Sequence, residues 1–431
     1  MHFSPSRIVI GFAVFIAFSF IYTINSVSAR DPTSVFFDPN KGYTPRYSAL
    51  RRQQAEAFVS SYNPATVVKA GPEKQRKLCV GIPSFKREGT QYLPDAVGSL
   101  LEGLTPEERK EIYLIVFIPH SRPEIHPAYN EAWLAGLADE VLTYGYGFDR
   151  MQYIRNLETQ HKIDEKGIFD YRYLLDKCRE QYTPYIALFE DDTVAVDGWY
   201  HRTIAAIDEA ERKAALQRAK PDFLYLRLFY TEEFLGWNAE EWTTYLKNSI
   251  YVALIPTAVF IFIRCFQPTT KFSITVVTRR TLLATYAVLA IIILLFFAFG
   301  RITVQPMPPG VHEMPAFGCC GQAFVFPNIK AAEIVDYFKD RHLGYIDVLL
   351  EDLANERHEL RYAITPSLVQ HVGRTNSHHD DGLMSKWGLS VAERIWSFAF
   401  EKFDWRALRQ EHEMVANLRR QASVVGTTTG I

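Results

Sequence analysis

Three consecutive carboxylates, Glu190-Asp191-Asp192, follow the apolar run Tyr185-Ile186-Ala187-Leu188-Phe189. A buried strand delivers such a triplet to the edge of its sheet, where it can face a ligand. Adjacent acids repel one another, so the cluster invites a counter-cation, and carboxylate and phosphate oxygens suit Mn2+ or Mg2+. A cation gripped there would neutralise the diphosphate of a nucleotide sugar as it leaves, acting as Lewis acid and template. Taken alone, three acids are more often a solvated turn or a helix N-cap. Their place after a buried strand favours chemistry.

The elements around the triplet alternate in type. Leu78–Ile82 is an apolar strand broken by Pro83, Ile112–Ile118 a second ending at Pro119, and Val141–Tyr144 a third. Helical periodicity runs over Leu93–Leu104 and Tyr171–Tyr182, and Leu224–Phe229 is a further strand. Later, Ala323–Pro327 and Ala331–Leu343 read as strand then helix, Ile346–His358 as a helix, and Val391–Arg420 as an amphipathic helix before a polar tail. The alternation predicts an α/β domain with a mostly parallel sheet and ligands at the carboxyl ends of its strands. There is no internal repeat and no Rossmann glycine fingerprint.

Composition narrows the class. Of 431 residues 48% are hydrophobic and 22% charged, enough apolar surface to exclude disorder. With 47 Lys+Arg against 49 Asp+Glu there is no basic excess to displace counterions, so nucleic acid is excluded as a partner.

Three stretches are too apolar for water. Ile8–Val27 carries no charge and is long enough for a bilayer core of roughly 30 Å, so a retained anchor is favoured over a signal peptide cleaved near Val27-Ser28-Ala29. Ser249–Ile263, extended through Cys265 and Phe266 with Arg264 snorkelling outward, and Thr281–Gly300 then form a hairpin. Between them lie Arg264, Lys271, Arg279 and Arg280 with no acid, which places the connecting loop in the cytosol and both flanks in the lumen. The amino terminus is then cytosolic, membrane lipid is a partner, and the spans number three.

The expected organisation is a cytosolic tip and anchor over 1–29, a stem over 30–77, and a domain split into 78–248 and 301–390 around a hairpin at 249–300. A helix and tail over 391–431 complete it. Lumenal Cys79, Cys178, Cys319 and Cys320 are an even set in a disulfide-permissive compartment, with Cys265 free. Adjacent Cys319 and Cys320 are expected to pair with distant partners, not with each other.

Several words of sequence carry a resemblance. Gly81-Ile82-Pro83-Ser84-Phe85-Lys86-Arg87-Glu88 with Tyr92-Leu93, Phe189-Glu190-Asp191-Asp192, Gly344-Tyr345-Ile346-Asp347-Val348-Leu349-Leu350 and Pro366-Ser367-Leu368-Val369-Gln370-His371-Val372-Gly373 occur in this order. They resemble the fourth-branch N-acetylglucosaminyltransferases of N-glycan processing, glycosyltransferases of the GT-A fold. The anchor, the inserted hairpin and Cys319-Cys320-Gly321-Gln322-Ala323 are more similar to the GPI-glycan N-acetylgalactosamine transferases known as post-GPI-attachment factor four. The resemblance spans about Leu78 to Trp387.

That resemblance implies roles. Asp192 would ligate the metal, with Glu190 and Asp191 nearer the ribose or a metal-bound water, and Pro83, Arg87 and Lys166 would line the donor pocket. Asp347 looks like the catalytic base that takes the proton of an attacking sugar hydroxyl, with helix capping as its plainer use and Glu351, one turn on, in reserve. His371 would complete the metal shell or else bond backbone. Glu232, Glu233 and Trp237 fall where acceptor contacts are expected, and Glu351 is counted with them; Trp237 either stacks on a sugar or sits at the membrane interface. His378, His379, Asp380 and Asp381 have the composition of a metal cluster but read as an exposed loop.

Together these imply a Golgi-membrane, Mn2+- or Mg2+-dependent, inverting transferase. It would pass N-acetylgalactosamine from UDP-GalNAc, or a related UDP-sugar, to the glycan of GPI-anchored proteins. N-glycan branching is the alternative within the class, and a membrane scaffold with a degenerate transferase domain the alternative outside it.

Overall fold

The computed structural model describes residues 18–22, 26–218, 222–266, 270, 277–314, 318–374 and 388–428. The chain divides into two compact units, Met1–Thr44 with Glu232–Met307, and Pro45–Thr231 with Pro308–Ile431.

In chain order the larger unit contains α1 (Tyr47–Ser60), β1 (Leu78–Pro83), α2 (Leu93–Leu101), α3 (Pro106–Lys110), β2 (Ile112–Phe117) and β3 (Glu140–Leu142). It continues with α4 (Ile163–Arg179), β4 (Tyr185–Phe189), β5 (Thr193–Ala195), α5 (Trp199–Arg218) and β6 (Tyr225–Arg227). The smaller unit then supplies α6 (Trp242–Phe266) and α7 (Arg279–Ala298). The larger unit resumes with β7 (Gly310–Glu313), β8 (Ala323–Pro327), α8 (Asn328–Arg341), α9 (Ile346–Glu356), β9 (Arg361–Thr365), β10 (Val369–His371) and α10 (Trp405–Thr428).

Eight strands form one sheet in the order β3-β2-β1-β4-β8-β6-β9-β7. Its buried strands read as unbroken apolar runs because both faces are covered. On one face Val80, Ile82, Val325 and Trp199 pack with α2 and α5, and on the other Cys79, Phe324 and Phe326 pack with α4, α8 and α9. The alternation of Val325 with Phe324 and Phe326 is the period of two that a strand imposes. Close packing leaves no room for a side chain at Gly98 in α2, where a Cβ would lie 2.5 Å from the Ala55 carbonyl oxygen of α1.

The sheet is more mixed than the expected mostly parallel one. β1, β2, β3 and β4 run parallel, but β8 is antiparallel to both β4 and β6, and β7 to β9. The reversal has a consequence for chemistry: Phe189, last in β4, pairs with Ala323, first in β8. The residues after β4 therefore meet those before β8. A separate antiparallel ribbon of β5 and β10 sets His371 opposite Thr193.

In the smaller unit α6 and α7 are each long and apolar enough to cross a membrane, and none of their residues is buried. Exposed Ile, Leu, Val and Phe run along both, which water would penalise and lipid would not. The Thr257 and Tyr286 hydroxyls hydrogen-bond between the two helices. The chain is thus membrane-associated. Most of Ile8–Val27 lies outside the described residues, as do Lys271 and residues 375–387 with His378, His379, Asp380 and Asp381.

Candidate active site

The acid triplet leaves β4 and turns at once into β5. Val372 N donates to the Asp192 carbonyl at 2.8 Å, continuing the β5–β10 ribbon and fixing His371 against Asp192. His371 Nε2 stands 3.3 Å from Asp192 Oδ2, and both residues are buried. Arg87, from the loop after β1, reaches Asp191 Oδ1 at 2.6 Å and Asp192 Oδ2 at 2.9 Å. Ser84 donates to Asp191 Oδ2 at 2.6 Å. Ala128 N donates to His126 Nδ1, so the proton of this ring is on Nε2 and points at the Ser84 oxygen, 3.1 Å away. Burial pushes His126 down to about 4, which keeps that ring neutral.

Electrostatics separate the three acids. Burial and the charge of Asp192 push Glu190 up to about 7. Burial raises Asp191 as well, although Arg87 and Ser84 oppose it. Asp192 goes the other way: burial disfavours its charge, but His371 and Arg87 overcome this and hold it at about 2. Burial opposes a charge on His371 too, yet Asp192 and Glu190 raise it above the ordinary value. One permanent anion beside groups that share protons is the electrostatic state of a site that wants a cation.

The corner fits a divalent ion on three counts. Donor atoms of Glu190, Asp192 and His371 lie within 4.8 Å of one another. Asp192 Oδ1 is buried without a hydrogen-bond partner, a cost that coordination would remove. His371 Nδ1 donates to the Ile395 carbonyl at 3.1 Å, which fixes the tautomer and leaves Nε2 as the ligating nitrogen. The space is also kept bare: a Cβ on Gly373 would stand 2.2 Å from Asp192 Oδ2 and 2.9 Å from His371 Nε2.

Asp347 lies in the first turn of α9, only partly buried. Its Oδ2 accepts from Cys320 N at 2.8 Å and its Oδ1 from Val348 N at 2.9 Å. Two residues beyond Cys320, Gln322 bonds Glu190 twice, carbonyl to amide at 2.9 Å and side chain to carboxylate at 3.0 Å. The short segment Cys320–Gln322 therefore has Asp347 at one end and the acid triplet at the other. The antiparallel β4–β8 pairing makes this meeting possible.

That segment corrects one expectation. Cys319 and Cys320 pair with each other, while Cys79 of β1 pairs with Cys178 of α4. Four cysteines are satisfied because β1 and α4 are direct neighbours, which leaves the adjacent pair no distant partner. Cys265 is free, as expected. Fully buried Arg227 holds the vicinal pair, donating to the carbonyls of Cys319 and Cys320 and to Glu351 Oε1 at 2.8 Å. Glu351 also binds Arg361 at 2.7 Å and the Tyr225 hydroxyl. Its carboxylate is thus committed to anchoring Arg227 and β9, which accounts for its burial better than contact with an acceptor.

Pro83 ends β1 and leads directly to Ser84. Lys166 is buried beside it, its ammonium 5.3 Å above the Phe85 ring and bonded to Asp170 at 2.7 Å, Pro119 O at 2.5 Å and Tyr144 at 3.0 Å. Glu232, Glu233 and Trp237 belong to the smaller unit. There Trp237 packs on Tyr245, Phe296 and Phe297 and donates to the Phe297 carbonyl at 2.9 Å. A cavity of about 520 Å³ lined by Arg150, Tyr153, Phe169, Arg172 and Phe338 contains none of the acid–histidine residues.

Sequence reasoning missed Arg227, Gln322, Ser84 and Gly373 as parts of this site. An arginine inside the apolar run Leu224–Phe229 was the available signal for the first, since a charge in a buried strand must have a partner. For Ser84, Gln322 and Gly373 the signal was their place inside the stretches that carry the family resemblance.

Residues 78–370 match the family described as GPI-N-acetylgalactosamine transferase PGAP4, a match that takes in β1 through Gln370 of β10 and stops one residue short of His371.

Proposed function

The chain belongs to the GPI-N-acetylgalactosamine transferase PGAP4 family, and on that premise we propose how its residues divide the work of transfer. It is a glycosyltransferase of GPI glycans, with a corner of acids and histidine suited to a metal. In this reading the larger unit is a GT-A domain and α6 and α7 are a membrane hairpin inserted between β6 and β7. Ile8–Val27 is a third span, the amino terminus is cytosolic and the domain faces the Golgi lumen. Trp237 is an interfacial anchor at the end of a span.

The donor is UDP-GalNAc and the acceptor a hydroxyl on the mannose core. Pro83, Arg87, Lys166 and Asp191 line the nucleotide side, at the carboxyl ends of β1, β2 and β4. Asp192 and His371, with Glu190 alongside, would hold Mn2+ or Mg2+, and the ion would supply positive charge to offset that of the departing diphosphate. Asp347 accepts the proton of the acceptor hydroxyl as its oxygen attacks the anomeric carbon and the bond to UDP breaks, a single displacement that inverts that centre. Its orientation comes from the N–H groups of Cys320 and Val348.

The observation carrying this reading is the Cys320–Gln322 segment, bonded to Asp347 and to Glu190 at once. The test is a pair of variants assayed with UDP-GalNAc and a GPI mannose-core acceptor. Asp347→Asn should bind donor normally and lose transfer by roughly 10²–10⁴-fold. Asp192→Ala should lose metal-dependent donor binding itself. Wild-type turnover in Asp347→Asn would remove Asp347 as the base.

A further inference from the structure

A second histidine–carboxylate cluster lies outside the site just described. Glu108 of α3, His201 of α5 and His412 of α10 are all buried, and donor atoms from the three lie within 4.8 Å of one another. We infer that these residues form a second divalent-metal site, a zinc staple fastening α10 to α3 and α5, distinct from the donor-metal corner.

The surroundings are those of a ligand set. A metal-binding imidazole characteristically turns its other nitrogen to a carboxylate or carbonyl, which fixes its tautomer. His412 Nδ1 faces Asp197 Oδ1 at 2.8 Å, and Asp197 is itself held by Arg409. His201 Nε2 faces Glu411 Oε1 at 3.2 Å, and Glu411 is held by Arg202 at 2.5 Å. Both rings therefore have an outer carboxylate.

The inner atoms are underused. His201 Nδ1 is buried without a hydrogen-bond partner, and so is Glu108 Oε1, which lies 3.9 Å from the Arg419 guanidinium. Glu108 Oε2 already accepts from Thr105 N at 3.1 Å in the capping box that starts α3, so its position is fixed by the backbone. His412 Nε2 stands 2.9 Å from that same oxygen. Two unpaired polar atoms in one buried cluster are costly, and a cation bound between them would relieve both.

Two imidazoles and one carboxylate favour zinc over the harder ions that suit the donor corner. Tetrahedral zinc needs donor atoms about 3.4 Å apart, so donor atoms now within 4.8 Å of one another would close by at most about 1.4 Å on binding. His412 Nε2 would give up its proton to solvent as the ion enters, keeping Nδ1–H on Asp197. Water would take the fourth position.

The experiment uses the full-length protein in detergent, purified without added metal. Zinc measured by plasma mass spectrometry should be retained by wild type and by Asp192→Ala alike, and lost from His201→Ala and His412→Gln. Asp197→Asn should weaken zinc binding by about 10–100-fold. The wild-type chain carries an arm that does not depend on how those variants fold. A zinc chelator should lower its Tm, and zinc, not Mn2+, should restore it. A wild-type protein that holds no zinc, and whose Tm ignores both chelator and added zinc, would overturn the proposal and leave the cluster a metal-free network of hydrogen bonds and ion pairs. Zinc that disappears in Asp192→Ala would place the ion at the donor corner instead.

Discussion

At the donor corner one histidine faces two acids and its outer nitrogen is held by a backbone carbonyl. At the Glu108 cluster two histidines face one acid and both outer nitrogens are held by carboxylates. The same residue types thus make sites of opposite bias. Oxygen-rich donors beside Gly373 suit an ion that is shared with a substrate's phosphates, whereas nitrogen-rich donors pinned by helices suit an ion that stays. The strands explain the first arrangement and the helices the second. The donor acids sit where β4 ends and the sheet reverses direction, while Glu108, His201 and His412 come from three helices with no strand end among them.

The largest effect that could break this contrast is a cross-comparison of activity with stability. Asp192→Asn, whose amide oxygen still accepts from His371 and Arg87, should lose transfer by at least about 10³-fold while changing Tm little. Glu108→Ala should do the reverse, keeping the donor KM and lowering Tm, because it strands His412 and removes the carboxylate half of the α3 capping box. Equal loss of activity in both would mean that the two corners are one functional unit.

A smaller effect is expected where the donor corner is merely narrowed. Gly373→Ala places a carbon 2.2 Å from Asp192 Oδ2, a distance that no real contact tolerates, so the carboxylate must turn away. Metal affinity should fall by about 10–100-fold with the fold intact, measured by Mn2+ titration and by circular dichroism. Unchanged Mn2+ affinity would show that Asp192 is not where the ion sits.

Proton linkage gives the next measure. Glu190 is raised to about 7 by burial and Asp192, and His371 is raised because Asp192 and Glu190 outweigh burial. Glu190 therefore holds a proton below about pH 7, and His371, raised above its ordinary value, keeps one that an entering cation must also expel. Mn2+ affinity should climb with pH through this range, by about tenfold per unit for each proton displaced. Calorimetry in buffers of different ionisation enthalpy counts those protons, and binding with none released would contradict the assignment of Glu190 and His371.

Much of the donor corner was legible from residue order because its parts lie inside compact words. An apolar strand ending in acids needs only local rules, and the match over 78–370 covers all of those words but the last few residues of the final one. What escaped was set by pairing between distant segments. The β4–β8 reversal that brings Gln322 to Glu190 cannot be inferred from periodicity, which gives strands but not their directions. The vicinal disulfide escaped for a related reason: its pairing depends on β1 and α4 having already consumed Cys79 and Cys178. The Glu108 cluster was invisible altogether, since its three residues are spread from 108 to 412 and each reads as an ordinary helix residue.

The smallest expected effect distinguishes the two outer carboxylates of that cluster. Asp197 is almost fully buried and bound by both His412 and Arg409, so Asp197→Asn removes a desolvated charge from two partners at once. Glu411 has 40% of its side chain exposed and shares its charge between His201 and Arg202. Water can replace much of what Glu411 gives, as it does for exposed ion pairs worth about 0–1 kcal/mol. Glu411→Gln, which keeps an acceptor oxygen for His201, should therefore shift stability by no more than about 0.5 kcal/mol in denaturant unfolding. Asp197→Asn should cost several times as much. If the two variants cost the same, the orientation of His201 matters as much as that of His412, and the cluster depends on both rings equally.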